Sequence, residues 1–192
     1  MLNLLKGYIF DLDGTLFDSK LDFDQMRLDL NFPKGASILE HLESILDETE
    51  KKKCQEIIHQ HEMTGANIAK PFPFVLELLE LLNQKNIPHA IITRNSKKPT
   101  SYLLKKYQLD HIYTITREDF VPKPDPSSLL HVQEKWKLPH SELCYIGDFL
   151  HDLEAAKNAG MKAILYRNHK NDIYEEYADY VLKDFSEIIK AL

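Results

Sequence analysis

Three aspartates fall within the stretch FDLDGTLFD, residues 10–18, directly after the apolar run Gly7-Tyr8-Ile9-Phe10. Carboxylates weaken strands and are rarely buried unpaired, so acids loaded onto the end of a core strand need a purpose. Asp11 and Asp13 are two apart in an extended segment, which points their side chains the same way. Like charges placed together call for a cation. The donors are all oxygen and no usable Cys or His cluster accompanies them, so the expected cofactor is a hard ion, Mg²⁺.

The other chemistry-bearing residues also follow apolar runs. Thr93-Arg94-Asn95 closes the run at 89–93, Val121-Pro122-Lys123-Pro124-Asp125 lies beyond the run at 112–115, and Gly147-Asp148 leads to Asp152 after the run at 143–146. In open α/β sheets, ligands bind beyond the carboxyl ends of the strands. An ordered set of acids, a hydroxyl and a lysine, each at its own strand end, can therefore converge at one edge. Asp148 is the natural third metal ligand, and Asp152, four residues on, either supports the ion or orients Lys123. Two prolines fix the backbone around Lys123. Gly14 serves the turn, with backbone N–H groups nearby for an anion. Asn95 is read as a substrate contact or a loop-shaping residue. Arg94 is kept as a substrate-contact candidate, although loop packing suits it better.

The elements that must position these residues are visible as hydrophobic periodicity. Apolar runs rich in strand formers occur at 8–10, 89–93, 112–115, 143–146, 163–166 and 180–182, and amphipathic patterns at 74–85, 97–107 and 126–137 lie between several of them. Strands alternating with helices predict a Rossmann-like parallel sheet flanked by helices. Asp125-Pro126 reads as a helix start, Gly160 as a left-handed cap after a helix, and Ser37-Ile-Leu-Glu40 as a capping box. Residues 19–70 break the alternation. They contain only helical segments, at 22–30, 38–47 and 49–61, and end at the proline-punctuated KPFPF, 70–74. The expected organisation is an α/β core of residues 1–18 and 71–192, carrying a small helical cap, 19–70, on linkers at 17–19 and 69–74. Phe23, Met26, Leu28 and Leu30 are expected to form cap core, and Arg27 is the cap residue singled out as a substrate contact.

The segments DLDGTLFD, ITRN, VPKPDP and GDFLHD together resemble the four motifs of the haloacid dehalogenase-like superfamily, in the family's order and over residues 8–182. The resemblance implies Asp11 as nucleophile, Asp13 as general acid and base, and Thr93 and Lys123 as phosphoryl ligands. It further implies that Asp11, the backbone carbonyl of Asp13, and Asp148 hold Mg²⁺. Members that cleave carbon–halogen bonds lack the second acid, so Asp13 favours phosphate chemistry. The motifs most resemble the phosphoglycolate phosphatase-like branch, with Phe74 where that branch often has Gly.

Bulk properties agree with this reading. The chain has 192 residues with 43% hydrophobic and 28% charged, an ordinary composition for a globular protein long enough to need no disulfide or structural metal. A net charge of −6 gives no support to nucleic-acid binding. No apolar stretch approaches the roughly 20 residues of a membrane span, and Cys54 and Cys144 read as reduced thiols in a cytoplasmic protein. The expected activity is Mg²⁺-dependent hydrolysis of a small phosphorylated metabolite through an aspartyl-phosphate. A phosphomutase, or a non-catalytic protein on the same fold, is the alternative. The substrate and the oligomeric state cannot be read from the sequence.

Overall fold

The computed structural model describes residues 1–168 and 171–192. Six strands form one parallel sheet: β1 (Gly7–Phe10), β4 (His89–Ile92), β5 (Tyr113–Ile115), β6 (Leu143–Gly147), β7 (Lys162–Tyr166) and β8 (Tyr180–Leu182), in the order β5-β4-β1-β6-β7-β8. The two short strands missing from this sequence of labels, β2 (Phe17–Asp18) and β3 (Lys70–Pro71), form a separate antiparallel ribbon.

Side-chain alternation explains why the central strands are apolar throughout. Tyr8, Phe10, Ile91, Cys144, Ile146 and Ile164 enter one core layer with residues of α4 (Val75–Gln84), α5 (Lys97–Lys106) and α8 (Ser186–Ala191). Ile9, Ala90, Ile92, Tyr145, Ala163 and Leu165 enter the opposite layer with α6 (Ser127–Trp136) and α7 (Leu150–Asn158). After β1 the chain builds to one side, through β4 and β5, and then crosses to the other, to β6. The strand order therefore reverses around β1, which opens a crevice at its carboxyl end.

Between β2 and β3 lie α1 (Phe23–Asp29), α2 (Ile38–Glu43) and α3 (Glu48–Ile68). Met26, Leu30, Ile38, Leu42, Cys54 and Ile58 form their own apolar cluster. Phe23 and Leu28, expected there, are 51% and 69% exposed instead: Leu28 falls on the opposite face of α1 from Met26, and Phe23, in the first turn, lines a cavity rather than that cluster. The two expected linkers pair with each other, Phe17 opposite Pro71 and Asp18 opposite Lys70. α3 runs seven residues beyond its expected end. Gly65 and Ala66 are poor signals in isolation, yet they allow close packing, and a Cβ on Gly65 would meet Leu21 at 3.0 Å. The far end of α3 lies on the sheet domain, where Tyr102 Oη donates to Asn67 Oδ1 at 2.9 Å and Lys106 Nζ to the Asn67 carbonyl at 2.7 Å.

Local starts and stops differ from expectation in identifiable ways. Ser37 precedes α2 without a side-chain cap bond, and Glu40 turns to Arg94, so no capping box forms. α2 stops at Glu43 rather than 47 because the Asp47 carboxylate accepts the Thr49 and Glu50 amides and starts α3. Asp125 accepts the Ser127 amide at the start of α6, and Gly160 takes φ +70° after α7. Phe74 precedes α4 at φ +66°, a left-handed conformation that favours glycine.

Candidate active site

The carboxyl end of β1 delivers Asp11 into the crevice as a buried side chain, while Leu12 points into the core. The loop after β6 brings Asp148, and the first turn of α7 brings Asp152. One carboxylate oxygen from each of Asp11, Asp148 and Asp152 lies within 4.8 Å of the others. Such a set is all oxygen and negatively charged, which fits a hard divalent cation.

Lys123 supplies the fixed positive charge. Its ammonium donates to Asp11 Oδ1 at 2.5 Å, Asp152 Oδ1 at 2.7 Å and Tyr145 Oη at 2.6 Å, and its side chain is 3% exposed. Tyr145 Oη in turn donates to the Ile92 carbonyl at 3.0 Å. Burial alone would lower the Lys123 pKa, but Asp11 and Asp152 outweigh it and hold the ammonium above its ordinary value. Asp152 accepts Lys123 on one oxygen and the Phe149 amide, at 3.1 Å, on the other. Of its two expected roles, that geometry favours orienting Lys123.

Burial pushes Asp11 up to about 7, against the lowering pull of Lys123. Asp148 is raised well above the carboxylate range by burial, then by Asp11 and Asp152. Asn168 Nδ2 donates to Asp148 Oδ2 at 3.1 Å, and Asn171 Nδ2 to its backbone carbonyl at 2.8 Å.

The Asp13 carboxylate stands apart from the other three. Asn95 Nδ2 donates to it at 2.5 Å, and a Ser19 hydrogen bond also holds it. Its carboxylate is therefore held outside the cluster of Asp11, Asp148 and Asp152. Burial raises Asp13 to about 6 despite those two bonds. Thr93 Oγ1 accepts the Asn95 amide at 3.1 Å, which leaves its hydroxyl proton for another acceptor.

Three further candidates are engaged within the protein. The Gly14 amide bonds the Phe17 carbonyl at 2.8 Å, in keeping with a turn. What Gly14 provides is close approach, since a Cβ there would lie 2.5 Å from Asp148 Oδ2. Arg94 reaches across to α2 and pairs with Glu40 at 2.6 Å. Arg27 lines the same cavity, but its Nε donates to the Ala36 carbonyl at 2.7 Å and its Nη1 to Asp24 at 2.9 Å. Each is satisfied within the protein.

Other residues give no local signal. Tyr145 sits in a strand whose pattern reads as core. Glu62, buried on α3, pairs with Arg117 and accepts the Ser96 hydroxyl at 2.6 Å, while Arg117 Nη1 donates to the Arg94 carbonyl at 2.8 Å. An acid from the helical segment thus fixes the loop that carries Thr93 and Asn95, and only the tertiary fold brings these together. The cavity over the site, about 430 Å³, is lined from both the sheet and the helical segment.

Comparison with known proteins agrees with this geometry. The model of the haloacid dehalogenase-like hydrolase family matches residues 29–166. A haloacid dehalogenase-like hydrolase domain-containing protein of Arabidopsis thaliana is 32% identical, over 81% of this chain and 68% of that protein. A phosphoglycolate phosphatase of Vibrio parahaemolyticus is 28% identical over 98% and 96% of the two chains. The crystal structure of a hydrolase from Pseudomonas syringae superposes with a TM-score of 0.80 at 26% identity, covering 96% of each chain. With six parallel strands, an acid cluster at the end of the first and this match over most of its length, the chain belongs to the haloacid dehalogenase-like hydrolase family.

Proposed function

We propose that the protein is a Mg²⁺-dependent phosphatase that hydrolyses a small phosphomonoester through an aspartyl-phosphate on Asp11. The observation that carries this reading is the pairing of Asp11 with the buried Lys123 ammonium, beside Asp148 and opposite a separately held Asp13. The similarity to phosphatases named for a phosphomonoester supports it.

Asp11, Asp148 and the Asp13 carbonyl are the groups suited to hold Mg²⁺. When bound, the ion would offset charge on the phosphoryl oxygens and on the acid cluster. Lys123 and the Thr93 hydroxyl bind and orient the phosphoryl group. An Asp11 carboxylate oxygen attacks phosphorus in line with the leaving alcohol oxygen, and the P–O bond to the alcohol breaks. Asp13, raised by burial, carries the proton that this oxygen needs, and afterwards takes a proton from the water that attacks the aspartyl-phosphate. Two neighbouring acids thus serve two roles because their surroundings differ. Residues 19–70 act as a cap over residues 1–18 and 71–192, excluding water during attack and contributing contacts to the alcohol part.

The test is phosphate release from p-nitrophenyl phosphate with Mg²⁺, together with retention of ³²P on denatured protein after a short pulse of labelled substrate. Asp11→Asn should abolish both. Turnover by Asp11→Asn above about 1% of the parent would overturn covalent catalysis at Asp11.

A further inference from the structure

We infer that the alcohol part of the substrate is uncharged and presents a flat apolar or aromatic face, which Phe23 and Phe149 receive. This rests on the phosphatase reading above and specifies its substrate class.

Two observations carry the inference. The first is the apolar wall. Beyond the acid cluster the cavity is lined by Leu21, Met26, Ile38, Leu39 and Ile58, and by the rings of Phe23 and Phe149. Phe23 comes from the helical segment and Phe149 from the loop after β6. Both rings are left substantially exposed, at 51% and 46%, although each lines a concave site. The Phe149 backbone is anchored by Asp152, and its ring meets His151 and Tyr174 edge-on. Large apolar groups held in a pocket beside a few convergent polar groups match small-molecule sites in general, and about 430 Å³ lies within their usual size range.

The second observation is charge. Every Lys or Arg lining the cavity, among the described residues, already has a carboxylate partner. Lys20 pairs with Asp18 at 2.5 Å, Arg27 with Asp24 at 2.9 Å, Arg94 with Glu40 at 2.6 Å, and Lys123 with Asp11 and Asp152. His151 Nδ1 lies 3.6 Å from Glu154, too far for a hydrogen bond, and is charged only when protonated. A second anionic group on the substrate would share a cation with a carboxylate already paired to it, and would face the Asp18 and Glu40 carboxylates. A short carboxylated alcohol such as glycolate is therefore disfavoured, whereas an uncharged ring meets no such opposition.

The experiment compares kcat/KM for three primary alkyl phosphates with leaving groups of related chemistry: benzyl phosphate, ethyl phosphate and 2-phosphoglycolate, with Mg²⁺ and the full chain. The expected order is benzyl above ethyl by tenfold or more, with 2-phosphoglycolate lowest. In Phe23→Ala and Phe149→Ala the benzyl-to-ethyl ratio should fall by tenfold or more. The milder Phe→Leu exchanges should lower it less, and each ratio is internal to its own variant. Glu40→Gln, which releases Arg94, should raise 2-phosphoglycolate relative to ethyl phosphate. The inference is overturned if 2-phosphoglycolate is the best of the three, if neither phenylalanine changes the ratio, or if releasing Arg94 changes nothing. Absence of phosphate release from all three and from p-nitrophenyl phosphate would instead overturn the phosphatase reading itself.

Discussion

Replacing Lys123 by methionine keeps most of the side-chain volume and deletes the ammonium, so its consequences isolate the charge. Lys123 is buried against Asp11 at 2.5 Å and Asp152 at 2.7 Å. Removing one partner of a buried ion pair costs about 3–5 kcal/mol, because the remaining charge has no water to return to. A carboxylate left in this way can escape by taking up a proton. That route costs about 1.4 kcal/mol for each pH unit above the ordinary carboxyl pKa, hence about 4 kcal/mol at pH 7 and under about 2 kcal/mol at pH 5. For a domain of this size each kcal/mol shifts Tm by about 2–4 °C. The expected loss for Lys123→Met is then about 6–20 °C at pH 7 and under about 8 °C at pH 5. The assay is calorimetric melting in excess chelator at both pH values, with kcat measured separately in Mg²⁺. Loss of the phosphoryl-binding cation should lower kcat by at least about 100-fold. A Tm change under about 2 °C at pH 7, or equal losses at the two pH values, would refute the assignment of Lys123 as the buried counter-charge.

In the metal-free protein Asp11 titrates near 7 and Asp13 near 6, both above the unfolded value of 3.8. The folded chain therefore binds more protons than the unfolded chain between about pH 4 and 7. Its stability should fall as pH rises through that window, and the Tm gain on adding Mg²⁺ should grow over the same range; melting curves with and without Mg²⁺ check both. Ca²⁺ in place of Mg²⁺ should inhibit, since it takes more ligands at longer distances and would misplace nucleophile and phosphate; full activity in Ca²⁺ or in excess chelator counts against the metal assignment. Glu62→Leu should cost about 3–5 kcal/mol by leaving the half-buried Arg117 without its partner, as urea denaturation will show. Phe74→Gly should stabilise by about 0.5–1 kcal/mol, since relief of left-handed strain exceeds the added unfolded-chain entropy; a lower urea midpoint would contradict that.

The sheet and its acids are legible in sequence because their signals are local. Continuous apolar runs mark the buried strands at Gly7–Phe10, His89–Ile92 and Leu143–Gly147, and Asp11, Thr93 and Asp148 follow directly at their ends. Lys123 is legible because two prolines bracket it. Partners chosen by tertiary structure are hidden. Nothing near Tyr145 announces that its hydroxyl meets Lys123, and nothing near Glu40 announces that it takes Arg94 rather than capping α2. The end of α3 was obscured for a related reason. Thr64, Gly65 and Asn67 are weak helix formers, and their helix is held by packing on the sheet domain, which outweighs propensity.

The ribbon of β2 and β3 bears on how this chain tolerates change. Phe17 and Asp18 lie directly beside Pro71 and Lys70, so the excursion of about fifty residues between them starts and finishes at one point of the sheet domain. Closing such a loop costs entropy that grows only logarithmically, about 0.6 kcal/mol for each doubling of length. Once the ribbon has formed, the sheet is nearly indifferent to how many residues hang from it. Changes in α1 and α2 can then redraw the walls of the cavity while β1 and β6 keep Asp11 and Asp148 in place, whereas α3 must keep Glu62 on the loop that carries Thr93. The shape of the cavity and the placing of the acids can thus vary separately only as far as α1 and α2, because α3 belongs to both.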